Sequence, residues 1–134
     1  MALTPTNDTQ MNIENNIQPT TSWLINKDTN RLVYSNNTKE LMRQSIDVRL
    51  QIERMQHEIY TSNAGMQTLD LVGLDLGLVI SKLKRRITDC LMCDDRVLGI
   101  QDFRYAKLDK ESILVEFTVN TIYDNIDYDM EWQL

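Results

Sequence analysis

Cys90-Leu91-Met92-Cys93 places two thiols three residues apart, the spacing of a redox dithiol or half of a zinc site. In a redox fold such thiols open a helix, where the dipole stabilises the thiolate. Here they fall near the end of a helical pattern, where the dipole favours the neutral thiol. A zinc site would need further ligands, and His57 is the single histidine with no other cysteine present. Small apolar residues packing a helix end describe the pair better, so neither a metal nor a cofactor is expected. His57 stands beside Arg54 and Glu58 without a matched nucleophile, as a surface or interface histidine does. Glu53, Glu58, Asp70, Asp75, Asp94 and Asp95 could supply paired carboxylates for glycoside hydrolysis, which needs two of them about 5–10 Å apart across a cleft. Their positions on charged helix faces account for them without catalysis, and no catalytic residue is assigned. Lys82, Lys84, Arg85 and Arg86 form the one concentrated basic cluster. It reads as a solvated helix face or as a contact for an acidic partner surface.

The elements that would position these residues follow from periodicity. The chain has 134 residues, 42% hydrophobic and 25% charged, which fits one α+β or all-α core. A net charge of -6 and a pI near 4.7 argue against a broad nucleic-acid footprint. No apolar run approaches the ~20 residues that span a bilayer. Residues 1–21 are rich in Asn, Thr and Gln without a signal-peptide pattern, and read as a flexible arm of a protein made in the cytosol.

Two short apolar runs, Trp23-Leu24-Ile25 and Leu32-Val33-Tyr34, flank an Asn/Asp-rich break and predict a hairpin. Asn36, Asn37 and Thr38 offer cap chemistry for a helix running from Lys39 to about Tyr60. Its stripe is Leu41, Ser45, Val48, Ile52, Met55 and Ile59, widened by Met42, Ile46 and Leu50. Leu69 to Val72 suit a single helical turn. Asp75 then caps a second helix with the stripe Leu76, Val79, Ile80, Leu83, Ile87, Cys90 and Leu91, ended by Asp94 and Asp95. Residues 97–108 and 112–123 switch to period two and predict a strand–turn–strand hairpin. Residues 125–134 fit either a strand or a tail. The expected architecture is α+β: a small antiparallel sheet with two amphipathic helices packed on one face, a domain over residues 22–124, and flexible or extended ends.

The order of these features resembles a known family. Glu58-Ile59-Tyr60 is followed by Gly65, then Leu-Asp-Leu-Val-Gly at 69–73, then Val-Ile-x-x-Leu-x-Arg-Arg-Ile at 79–87. Asp94-Asp95-Arg96-Val97 comes next, and Val-x-Phe-Thr-Val-Asn-Thr-Ile closes the set at 115–122. The combination is similar to the baseplate wedge and sheath-initiator family of contractile phage tails and tailocins, in the branch of Gram-positive phages, with relatives in type VI secretion. The resemblance implies a non-enzymatic virion subunit assembled in the host cytoplasm. Six copies would meet baseplate wedge proteins, the tail sheath protein, and tube or hub proteins, with no nucleic acid or membrane involved. It also implies a wedge-docking loop at Asp94, Asp95 and Arg96, where the family carries Glu-Pro-Arg and this chain lacks the proline that would fix φ. The implied sheath-contact strand carries Val115, Phe117, Val119, Asn120, Thr121 and Ile122, offered for strand addition. A cell-wall hydrolase is the alternative that the carboxylates leave open.

Overall fold

A computed structural model describes residues 20–134. The elements run β1 (Ser22–Asn26), β2 (Arg31–Ser35), α1 (Thr38–Gln51), a 3-10 turn (Leu69–Leu71), α2 (Leu76–Leu91), β3 (Val97–Lys107), β4 (Ser112–Thr121) and β5 (Asn125–Gln133). The class is α+β, but the strands form two antiparallel sheets: β1-β2, and β3-β4-β5 with β4 in the centre. Of residues 125–134, left open between strand and tail, Asn125–Gln133 form β5. Residues 1–19 of the expected arm lie outside the described residues.

The first hairpin closes through Asn26, whose Oδ1 accepts the N–H groups of Asp28 (2.9 Å) and Thr29 (3.2 Å). Asn30 then takes the left-handed conformation that Asn tolerates (φ 51°). In β4, Ile113, Val115, Phe117 and Val119 alternate inward and are buried. They share one core with Met42, Ile46 and Leu50 of α1, Leu83, Ile87 and Leu91 of α2, and Ile126 and Tyr128 of β5. Phe117 also stacks on Phe103 (6.4 Å between centroids) and tilts against Tyr128 (5.5 Å).

Two expectations for α1 need correction. The residues meant only to widen its stripe, Met42, Ile46 and Leu50, are buried along with Leu41 of the main stripe, whereas Val48 is exposed and Ser45 only partly covered. The helix also ends at Gln51 rather than near Tyr60. Ile52 turns to extended geometry, its carbonyl accepts Met66 N–H (2.9 Å), and Arg54 N–H donates to the Met66 carbonyl (3.2 Å). The Glu53 carboxylate accepts the Thr68 N–H (2.9 Å), the Thr68 hydroxyl and the Leu69 N–H (3.3 Å). These bonds fold the chain back and bury Met66 and Leu71, while Met55 and Ile59, which continue the helical period, stay 76% and 86% exposed. Burying Met66 and Leu71 offsets the helical hydrogen bonds forgone.

Gly65 permits this return. Its φ is 85°, and a Cβ there would collide with the Ile52 carbonyl; Gly73 has a similar φ of 82° but open space around it. Gly73→Ala should therefore cost about 1 kcal/mol from backbone strain alone. Gly65→Ala should cost about 2–3 kcal/mol or more, because the clash adds to the strain. Urea denaturation of the two variants checks the order; equal losses would refute the close approach at Gly65.

Candidate functional site

The segment joining α2 to β3 is built around a buried carboxylate. α2 is closed by the Met92 N–H on the Thr88 carbonyl (2.9 Å), and Asp94 N–H then donates to Leu91 O (3.1 Å). That turn aims the Asp94 side chain inward, where it is 7% exposed. Its Oδ1 accepts both the backbone N–H and Nε of Arg96, each at 3.0 Å, and its Oδ2 accepts Arg96 Nη2 at 2.8 Å. Arg49 of α1 approaches the same Oδ2 (3.4 Å). The rest of the Arg96 guanidinium is also engaged: Nη1 donates to Thr20 Oγ1 (3.1 Å) and Nη2 reaches Ser45 Oγ (3.5 Å). Thr20 in turn shares a 2.8 Å hydrogen bond with the Tyr123 hydroxyl.

Burial opposes ionisation of Asp94. The hydrogen bonds from Arg96 and the charges of Arg96 and Arg49 outweigh it and hold the carboxyl below the usual range. The Asp94 hydrogen bonds likewise raise the Arg96 guanidinium against the cost of burial. Beside this pair a groove of about 600 Å³ opens between α1 and the 60–65 turn, lined by Ser45, Val48, Arg49, Tyr60, Cys93 and Arg96 among others. Of the expected docking residues, Asp94 and Arg96 are thus brought together and turned inward, while Asp95 is exposed. A bidentate bond from Arg96 to a partner carboxylate would require it to leave Asp94.

The expected sheath-contact strand lies in the centre of its sheet. β4 pairs with β3 on one edge and, over nine residue pairs, with β5 on the other, so it has no free edge for another strand. Val115, Phe117, Val119 and Thr121 are buried, Asn120 is partly covered, and only Ile122, beyond the strand, is exposed. Among the described residues the free edges belong to β3 and β5. β3 shifts register at Val97/Gly99 and at Gln101/Arg104, where Asp102 takes φ 55°. Such bulges twist an edge away from pairing. β5 has no register shift against β4. Thr121 N–H donates to Asp124 O (3.2 Å) and Arg43 Nη1 to Asp127 O (3.1 Å). Together these fix the alternation so that Asp127, Asp129 and Glu131 direct their backbone groups away from β4.

The other candidates resolve into structural roles. Cys90 is buried, its Sγ donates to Arg49 O (3.7 Å), and burial pushes its thiol up to about 11; Cys93 Sγ donates to Asp89 O (3.2 Å). Glu53 caps the 3-10 turn, and Asp70 pairs with Arg86 (Oδ2 to Nη2, 2.7 Å). Arg85 lies 3.8 Å from Asp89, and the Lys84 ammonium sits 5.8 Å from the Phe103 ring centre. His57 packs edge-on to Tyr60 (6.0 Å). Among the described residues no group of three or more His, Cys, Asp or Glu is arranged to hold a metal ion. No described helix is long and apolar enough to cross a membrane.

Sequence reasoning missed Thr20, Ser45, Arg49 and Tyr123 as parts of the Asp94 network. Ser45 and Arg49 stand four apart on α1 and so share a face, which was the available signal.

The chain is thus an α+β domain with a charge-pinned loop and a regular β5 strand at the edge of its sheet. The family model for contractile injection system sheath initiators matches residues 15–124, and the chain belongs to that family. A search of the curated proteins found no match. The family is structural, and its place is the tail or baseplate of a contractile injection system.

The Asp94 pair yields a pH-dependent prediction. Because the folded carboxyl titrates below its unfolded value, its contribution is complete above about pH 5 and is lost as pH falls through the folded value. Asp94→Asn should cost about 2–3 kcal/mol at pH 7, and the difference from the parent should shrink below about pH 4. Denaturant melts across pH 3–7 read this directly; a pH-independent difference would contradict the charge pair.

Proposed function

We propose that the protein initiates sheath assembly by docking its α2–β3 loop on the baseplate wedge and offering the outer edge of β5 to a sheath segment. The observation that carries this reading is the β5 edge: nine regular pairs on its inner side, no bulge, and outward backbone groups at Asp129 and Glu131, beyond Asp127 whose carbonyl Arg43 already occupies. Strand addition there makes main-chain hydrogen bonds with little demand on sequence. Six copies around the tail, placed between wedge, sheath and tube or hub proteins and assembled in the host cytoplasm, follow from the family's architecture.

At the loop, Arg96 is a positioning residue. It holds the loop through Asp94, and exposed Asp95 with the adjoining groove makes the contact with the wedge. No observation favours the hydrolase alternative, since Glu53, Asp70 and Asp94 are each held by neighbours in the fold.

Asp129→Pro tests the edge. It removes an outward N–H while the β4–β5 ladder keeps its bonds, so the fold should persist. Co-expressed sheath should fail to assemble on it by electron microscopy, while Asp129→Ala should remain competent. Normal sheath length on Asp129→Pro would move the contact elsewhere. At the loop, Asp95→Arg should weaken co-purification with wedge proteins about tenfold or more with little change in melting temperature. Arg96→Ala should lower both. If Asp95→Arg bound wedge proteins like the parent, the contact surface would be wrong.

A further inference from the structure

The β1-β2 hairpin is not explained by either contact above. Its two outer edges are treated unequally. On β1, the side-chain amide of Gln44 stands where a neighbouring strand's peptide would be, accepting the Ile25 N–H (2.9 Å) and donating to the Trp23 carbonyl (3.0 Å). Trp23 and Ile25 therefore point their backbone groups away from β2. Their register partners Tyr34 and Leu32 must then point theirs away from β1. Among the described residues no strand pairs with that side of β2.

The same four residues share one face of the hairpin, with Trp23 edge-on to Tyr34 at 5.7 Å. Trp23, Leu32 and Tyr34 are 58–63% exposed. A two-stranded hairpin cannot bury such a face by itself, and an apolar edge strand left open invites pairing. At the tip, Lys27 and Arg31 outnumber Asp28, and none of the three has an ion pair among those of the described residues.

We infer that the outer edge of β2 takes an extended segment of a second tail protein, apolar on the face that continues Trp23, Ile25, Leu32 and Tyr34 and acidic where it meets Arg31. A strand meets both needs at once, because its backbone satisfies Leu32 and Tyr34 and its side chains cover the apolar face. A lipid surface would cover the side chains but leave the backbone edge unpaired. The acidic end is set by the local positive charge on a chain whose net charge is -6.

Amide hydrogen exchange at Leu32 and Tyr34 tests this, on the full chain alone and after co-assembly with wedge and sheath proteins. Both amides should exchange freely in the isolated protein and slow at least tenfold in the assembly. Trp23→Ser with Tyr34→Ser, both at exposed positions, should fold normally and lose that protection. Unchanged exchange on assembly would overturn the inference. So would slow exchange in the dilute isolated chain, which would assign the edge to residues 1–19. Protection that appears with a concentration-dependent dimer mass would assign it to a second copy. Protection on adding neutral phosphatidylcholine vesicles would assign it to lipid. The readout is independent of β5, so Asp129→Pro can lose sheath while β2 protection remains, and the reverse.

Discussion

The Asp94 carboxylate is where separate parts of this chain are tied together. It closes the end of α2, fixes Arg96 at the start of β3 and draws in Arg49 from α1. Through Arg96 it reaches Thr20, where the chain enters the hairpin, and through Thr20 the Tyr123 hydroxyl beyond β4. A carboxylate 7% exposed would be costly to ionise without these partners. Three donors from Arg96 and a second guanidinium supply the compensation. The family's proline would stiffen this loop through φ; here a two-residue Asx-type turn with a bidentate ion pair holds it. The α2–β3 loop is thus rigid by charge rather than by ring closure.

That tie also explains how the helices lie. With Ser45 and Arg49 facing Arg96 and Asp94, α1 turns Met42, Ile46 and Leu50 toward the sheet and leaves Val48 exposed beside the groove. At the other side of the helix, Asp47 accepts a hydrogen bond from the Tyr128 hydroxyl (2.6 Å), and Arg43 bonds the start of β5. Burial and the bond to Asp47 raise the Tyr128 phenol well above its ordinary range, so the contact stays neutral on the tyrosine side. α1 is therefore fastened along both flanks, and its orientation fixes the groove, the hairpin through Gln44, and β5 together.

What the sequence made legible was local. α2 and β4 were plain because their periods run uninterrupted to polar stops, Asp94 in one case and Asp109-Lys110-Glu111 near the other. The end of α1 was not, because Met55 and Ile59 keep the helical spacing while the force that stops the helix comes from Met66 and Thr68, more than ten residues on. The central place of β4 was hidden for a related reason. Ile126, Tyr128, Met130 and Trp132 alternate as a strand should, yet their acidic partners also suit a solvated tail. Only pairing decides between those readings, and pairing made β4 a core strand and passed the edge to β5. The family resemblance drew attention to the 94–96 loop and the C-terminal sheet, but it could not show which atoms of Arg96 were already in use.

Among the described residues the outer edge strand, β5, carries a row of like charges. Its outward side chains include Asp127, Asp129 and Glu131, and Glu116 of β4 lies directly opposite Asp129, with Arg104 of β3 across from Glu116. Like charges directly opposite each other weaken a sheet by some tenths of a kcal/mol to about 1 kcal/mol. The Glu116–Asp129 pair therefore works slightly against the fold of the isolated chain. Antiparallel pairing of two copies about Asp129 would set Asp129 against Asp129 and Asp127 against Glu131, so the edge repels its own kind. A segment with Lys or Arg at alternate positions would relieve both costs while making the same main-chain bonds. An acidic row on a regular strand disfavours self-pairing while leaving the backbone accessible, whereas bulges, as on β3, twist an edge away from any pairing.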